Sequence, residues 1–196
     1  MTHVSIDQSL SKTAAIVWED GEPVEVKVFK TGSLSAKKHI EGVRHFDSDD
    51  ERIDHICEEL WQLVGDNQPC TVSMEGLSFG STGNVARQLA GLYFTIRNSL
   101  YNGTELQWNQ FYSISPTSAK SFARDFLPIE LQTVPKPSGK AGTNKVKMDK
   151  HLMIKAVPEV HSWVYSGYKM SGKLAGLDDI CDAYWIGRYW HKNLNK

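Results

Sequence analysis

The sequence contains no apolar run approaching the roughly 20 residues a membrane-spanning helix needs, so no membrane segment is expected. Its N-terminus, MTHVSIDQSL, sets no basic segment before an apolar one. A secretory leader is therefore not expected, and a cytoplasmic location is. Cysteine is scarce: Cys57, Cys70 and Cys181 are odd in number, far apart and without a C-x-x-C pair. They read as reduced, buried thiols rather than a disulfide framework. Among seven histidines no H-x-x-x-H or H-E-x-x-H spacing occurs, and His55 and Cys57 are two apart on a helical stretch, so they cannot face one metal. A structural zinc site is not expected. Ser9 and Ser11 have no nearby His/Asp set, which leaves nucleophilic serine catalysis unsupported. No internal repeat is visible.

What is present describes an ordinary folded chain. Its 196 residues are 40% hydrophobic and 23% charged, enough for one domain with a real core. The net charge of −1 hides an asymmetry: residues 1–116 carry −7, residues 117–173 carry +6, and the remainder balances. A basic stretch beside acidic groups suits a polyanion such as nucleic acid, with the acids holding metal. A solvated basic loop accounts for the same composition.

The stretch from Val4 to Phe29 organises the chain. Val4 to Ile6 reads as a short strand ending at Asp7, and Ala14 to Trp18 as a second. Asp20-Gly21 is a hairpin signal, and Val24, Val26 and Val28 alternate with polar residues as a third strand. Gly32 to Phe46 reads as an irregular polar loop. Asp47, Ser48 and Asp49 are N-cap candidates for a helix carrying Ile53, Ile56, Leu60 and Leu63. A strand from Cys70 ends at Glu75, a Gly/Ser-rich loop with Phe79 follows, and Val85 to Leu100 is helical. Gln110 to Ile114 is a fifth strand, Ser115-Pro116 starts a short helix, and 127–142 reads as a loop. Asn144 to Val157 is expected helical, and Asp178 to Asn193 closes the chain as an aromatic-rich helix. The arrangement expected is an α/β fold: a mixed five-stranded sheet, three antiparallel strands first, flanked by helices.

Four acids stand out by position. Asp7 and Glu75 end strands, and Asp179 and Asp182 lie at i and i+3, on one face of the last helix. Asp178 is expected to point away from that pair and to serve the helix dipole. Singly, each acid has a structural reading as a turn cap or surface residue. Jointly, four crowded carboxylates repel unless cations neutralise them, and hard oxygen ligands select Mg²⁺ or Mn²⁺.

Asp7 in VSIDQS, Glu75 in TVSMEG and the D-x-x-D-A of Asp179 to Ala183 resemble the RuvC-like Holliday junction resolvases of the RNase H-like superfamily. The length and loop content resemble a bacteriophage-encoded member more than a bacterial one. The resemblance implies a single RNase H-like nuclease domain over 1–196 with a mobile basic loop around 134–145. It also implies a homodimeric endonuclease that hydrolyses four-way or other branched DNA in recombination and repair. Asp7, Glu75, Asp179 and Asp182 are implied to hold two Mg²⁺ ions, with Mn²⁺ able to substitute. The family's Gly-rich segment leading to a lysine is matched by Gly139 to Lys145 with one extra residue, so Lys145 or Lys147 fills that place and Lys145 is preferred. Phe79, one position further from the Glu than is usual, matches the family's junction wedge, with core packing as its other reading. Lys140, Lys145, Lys147 and Lys150 are the candidate phosphate contacts, and the helix over 85–100 the candidate dimer contact. Nothing points to base-edge readout.

Two alternatives stand beside this. IDQSLSKTAAIV is also similar to the first phosphate loop of actin-like ATPases and sugar kinases, although no second phosphate loop follows. A catalytically inactive branched-DNA-binding module, with structural acids, is the other. Tyr184, Trp185, Tyr189 and Trp190 could stack bases, but at helical spacing they suit a core or interface better.

Overall fold

The computed structural model describes residues 1–36, 41–77, 83–136 and 142–195. β1 (Thr2–Asp7), β2 (Lys12–Glu19) and β3 (Glu22–Ser33) form the antiparallel meander. Asp20 and Gly21 have φ of 50° and 90°, the left-handed pair that matches a two-residue turn to the twist of its strands. A short β4 (Arg44–Phe46) joins β3 in parallel, a sixth strand where the sequence pointed to a loop. Three residues are too few to show a strand's alternation.

α1 (Asp49–Asp66) starts where Ser48 accepts from the Glu51 amide, with three acids in its first turn. β5 (Cys70–Glu75), α2 (Gly83–Gly103), β6 (Phe111–Ile114) and α3 (Pro116–Arg124) follow. The sheet order is β4-β3-β2-β1-β5-β6, with β5 and β6 parallel to β1.

The region expected as a loop over 127–142 holds a single turn, α4 (Ile129–Gln132), and β7 (Thr133–Pro135), which pairs with β8 (Thr143–Lys145). The basic loop is thus framed by a two-stranded ribbon, and its centre, 137–141, lies outside the described residues. The helix expected over 144–157 is confined to α5 (Lys150–Lys155), capped by Asp149, because Asn144 and Lys145 belong to the ribbon. A 3₁₀ segment, Glu159–Tyr165, leads to α6 (Leu177–Asn193).

Each face of the sheet is covered. Val4 and Ile6 of β1 pack with Ile56, Leu60, Leu92, Ile96 and Leu100 of α1 and α2. On the other face α6, α3 and α5 pack over Ala14, Ile16 and Trp18. Here β1 presents polar groups, and all are matched. The His3 ring nitrogens meet the hydroxyls of Thr71 and Ser73, each at 2.8 Å. Its ring stacks flat on Trp190 at 3.8 Å, and Trp18 Nε1 donates to Ser5 Oγ at 2.8 Å. Burial, then His191, holds the His3 imidazole well below its usual pKa, so it stays neutral.

Gly187 of α6 lies directly on Trp18: a Cβ there would stand 2.5 Å from the indole. Gly187→Ala is expected to cost about 1–3 kcal/mol in urea unfolding, the range for overpacking a filled core. Gly65→Ala, in α1 with open space around it, is expected to gain roughly 0.5–1 kcal/mol in the same assay.

Candidate active site

Asp7 is the last residue of β1 and Glu75 the last of β5. The two strands are parallel neighbours in register, Ile6 opposite Met74, so the acids that follow stand side by side. By alternation they leave the sheet on the α6 face, beyond Ser5 and Ser73. A hydrogen bond joins their carboxyls. Burial, then Glu75, Asp182 and Asp179, raises Asp7 well above the ordinary carboxylate range. Glu75 is raised by burial and then by Asp182. Two buried carboxylates side by side do not both ionise readily.

α6 supplies the other acids. Gly176, with φ of 142°, admits the chain to α6 against β3, where a Cβ would press on Val28 and Tyr168 at 3.2 and 3.3 Å. That entry sets Asp178, Asp179 and Asp182 above the strand ends. Burial pushes Asp179 up to about 6, in spite of Lys12. Lys12 Nζ lies 2.9 Å from Asp179 Oδ2 and 3.3 Å from Asp178 Oδ1. Lys150 Nζ lies 2.5 Å from Asp182 Oδ2 and 3.9 Å from Asp178 Oδ2. Burial works against both ammonium charges, but Asp179 for Lys12 and Asp182 for Lys150 outweigh it and raise their pKa. Burial likewise works upward on Asp178, and Lys12 and then Lys150 overcome it and hold that carboxyl low. Lys120 of α3 adds positive field at Glu75.

The structure places Asp7, Glu75, Asp179 and Asp182 near one another at one end of the sheet. Three placements differ from the sequence reading. Asp178 faces the cluster, because it is one turn before Asp182, at i and i+4, and both reach Lys150. The lysines among the acids are Lys150 and Lys12, whereas Lys145 sits exposed on β8 and Lys147 is exposed just beyond it. Lys12 was missed, its only signal being its place at the head of β2, across the turn from Asp7. Phe79 and Lys140 lie outside the described residues. Tyr184, Trp185 and Trp190 are at most 1% exposed and belong to the core, so they are closed to bases.

The donor set is all oxygen, which by its chemistry suits a hard divalent cation. Among the described residues no group of three or more His, Cys, Asp or Glu side chains is placed so that it could hold a metal ion. The positive charge at the acids comes from Lys12 and Lys150, with Lys120 acting on Glu75. By chemistry alone Asp7, Glu75, Asp179 and Asp182 would suit Mg²⁺, and to hold it they would have to draw together while the two ammonium groups gave up part of their contact.

No protein-family model and no curated protein matches the sequence. Among solved structures the chain is similar to Thermus thermophilus RuvC, with a TM-score of 0.57 and 12% identity over 99% of this chain and 98% of that one. It is similar also to T. thermophilus RuvC in complex with a Holliday junction substrate, at 0.53 and 14% over 96% and 91%. The yeast mitochondrial Holliday junction resolvase Ydc2 aligns at 0.49 and 14%, over 97% and 77%. With a three-stranded antiparallel start, two parallel strands beyond it and helices on both faces, this chain has the RNase H-like fold of RuvC.

Proposed function

We propose that the protein is a divalent-metal-dependent endonuclease that hydrolyses phosphodiesters in branched DNA, four-way junctions foremost. The observation that carries this reading is the meeting of Asp7, Glu75, Asp179 and Asp182 at one end of the sheet, with Lys12, Lys120 and Lys150 around them. The RuvC fold supports it, and RuvC has been seen on a Holliday junction. Two Mg²⁺, or Mn²⁺, held by the four acids would supply an activated water and charge stabilisation at the leaving oxygen. A cation among the four acids would favour the ionised forms of Asp7 and Glu75. Lys150, loosened from Asp182, presents its ammonium to a phosphate oxygen of the strand. The basic segment over 117–173 grips further phosphates, so affinity falls with salt. A dimer suits two cuts in a two-fold junction, and α2, with Phe94 49% exposed, is the contact we propose.

The test uses the purified full chain with labelled four-way, forked and linear DNA, in Mg²⁺ or EDTA, with ATP hydrolysis followed in parallel. Four-way DNA is expected to be cut in Mg²⁺ and left intact in EDTA, with linear DNA untouched. Cutting that persists in EDTA overturns the metal-dependent reading. Tight junction binding without cutting favours the inactive binding module, and ATP turnover without cutting favours the kinase-like alternative. Sedimentation of the same samples reports whether one or two chains bind each junction.

A further inference from the structure

Trp61, near the end of α1, is 45% exposed, and its Nε1 donates to the carbonyl of Gly103. Gly103 closes α2 and lies so near the ring that a Cβ there would stand 2.7 Å from it. A large apolar ring is thus held in one orientation at the surface. Two open cavities meet at it. One, of about 640 Å³, reaches Asp66 and Glu105; the other, of about 280 Å³ between α1 and α2, reaches Asp54 and Glu58. All four acids are exposed, and no lysine or arginine lines either cavity. None of the four carboxylates has an ion-pair partner among the described residues. The groove lies where α1 hands the chain to Cys70, the start of β5. Glu75 ends that strand, roughly 17 Å further on at about 3.3 Å per residue, so groove and acid cluster occupy opposite ends of the sheet.

We infer that the α1–α2 groove docks a partner protein through an arginine-bearing segment, with a guanidinium over the Trp61 ring and its charge met by the flanking carboxylates. Charge selects the occupant. Four uncompensated carboxylates repel nucleic acid and anionic lipid and attract a cationic chain. Tryptophan is the ring that holds a cation best, and arginine the cation that most often sits on one. The same two residues dominate binding energy where proteins meet. Because the indole is already fixed by Gly103, docking does not have to order it. A second copy of this chain suits the groove less well. Its excess positive charge lies in residues 117–173, the stretch assigned above to DNA phosphates. Phe94, the proposed dimer contact, lines a separate cavity with Tyr93 and Arg97. The inference goes beyond the nuclease reading and stands without it. A partner seated at this end of the sheet leaves the acids at the other end open.

The test titrates the full chain into a fluorescein-labelled RARARARA amide and follows anisotropy, with KAKAKAKA and EAEAEAEA as comparison peptides. The arginine peptide is expected to bind, about 3-fold tighter than the lysine one, and the glutamate peptide not at all. Trp61→Ala should weaken the arginine peptide about 10-fold. Glu105→Lys, at an exposed side chain, should do the same and gives an answer even if Trp61→Ala does not fold. Asp50→Asn combined with Glu130→Gln changes the net charge as much as Glu105→Lys, at exposed sites outside the groove. That double variant should bind within about 2-fold of the wild type, because solvent and salt screen distant charges. An equal loss in the double variant means only general attraction between opposite charges and overturns the inference, as does an arginine peptide bound no better than the glutamate one. Sedimentation of the chain alone completes the test: self-association that Trp61→Ala abolishes makes a second copy the occupant and overturns the inference too. Failure to cut DNA overturns the nuclease reading and leaves this one in place.

Discussion

Asp7→Asn is expected to lose cleavage by on the order of 10³-fold or more and, in EDTA at neutral pH, to melt at a higher temperature than the wild type. The activity loss follows from removing one of a few preorganised charged groups at the reacting phosphate. The stability gain follows from the raised Asp7 pKa, caused first by burial and then by Glu75, Asp182 and Asp179. A carboxyl whose pKa is higher folded than unfolded favours the folded state while protonated. That advantage is complete below the unfolded value near 3.9 and is lost as pH rises through the folded value. Asparagine keeps the shape without the charge, so the difference in melting temperature should open as pH rises above about 4 and level off beyond the folded pKa of Asp7. For a chain of this length each kcal/mol recovered is about 2–4 °C. His3, buried neutral, tilts both proteins the opposite way at low pH, and subtracting one curve from the other removes it. Mg²⁺ should narrow or reverse the order, because it relieves the wild-type cluster and finds fewer ligands in the variant. A lower melting temperature for Asp7→Asn in EDTA at pH 7 would show Asp7 to be a structural cap.

The pattern that led to Asp7 and Glu75 was legible because both end strands whose apolar residues mark them plainly, Val4 and Ile6 in one, Val72 and Met74 in the other. Asp179 and Asp182 were legible by helical spacing, and the same spacing at i and i+4 places Asp178 on that face too. The lysines were not legible. Lys12 reaches α6 through sheet–helix packing across 166 positions, and no local periodicity records that. Lys150 opens a six-residue helix whose start depends on Asn144 and Lys145 being drawn into the ribbon with Thr133 to Pro135. That pairing is non-local and leaves no mark on TNK. The polar side of β1 was not legible either: only the hydroxyls of β5, the rings of α6 and the Trp18 indole make His3 and Ser5 core. The tie of the Gln8 amide to the Glu75 carbonyl, across 67 positions, likewise leaves no local pattern.

Lys150→Ala is expected to bind Mg²⁺ more tightly than the wild type and yet to cut about 10²–10³-fold more slowly, a loss typical of one stabilising group at a transition state. The two effects have one cause. Lys150 Nζ holds Asp182 at 2.5 Å and reaches Asp178, so it competes with a cation for the same oxygens. Removing it frees Asp182, and calorimetric titration with Mg²⁺ should show affinity rising several-fold, with the gain largest at low ionic strength. The same removal takes away the ammonium that would meet the phosphate, so turnover falls although the acids are better filled. The cost in stability is small, on the order of 1 kcal/mol in EDTA, because the Lys150 side chain is 41% exposed and water screens the pair. Lys150→Arg keeps the charge on a planar head that does not sit as a point charge between two aspartates, and should recover only part of the rate. Lys145→Ala is the contrast: exposed on β8, it should leave cutting within about 3-fold and lower the salt dependence of junction binding by about one phosphate contact. If Lys145→Ala stops cutting while Lys150→Ala does not, the ribbon lysine is the one that meets the phosphate, and Lys150 serves only to balance the acids.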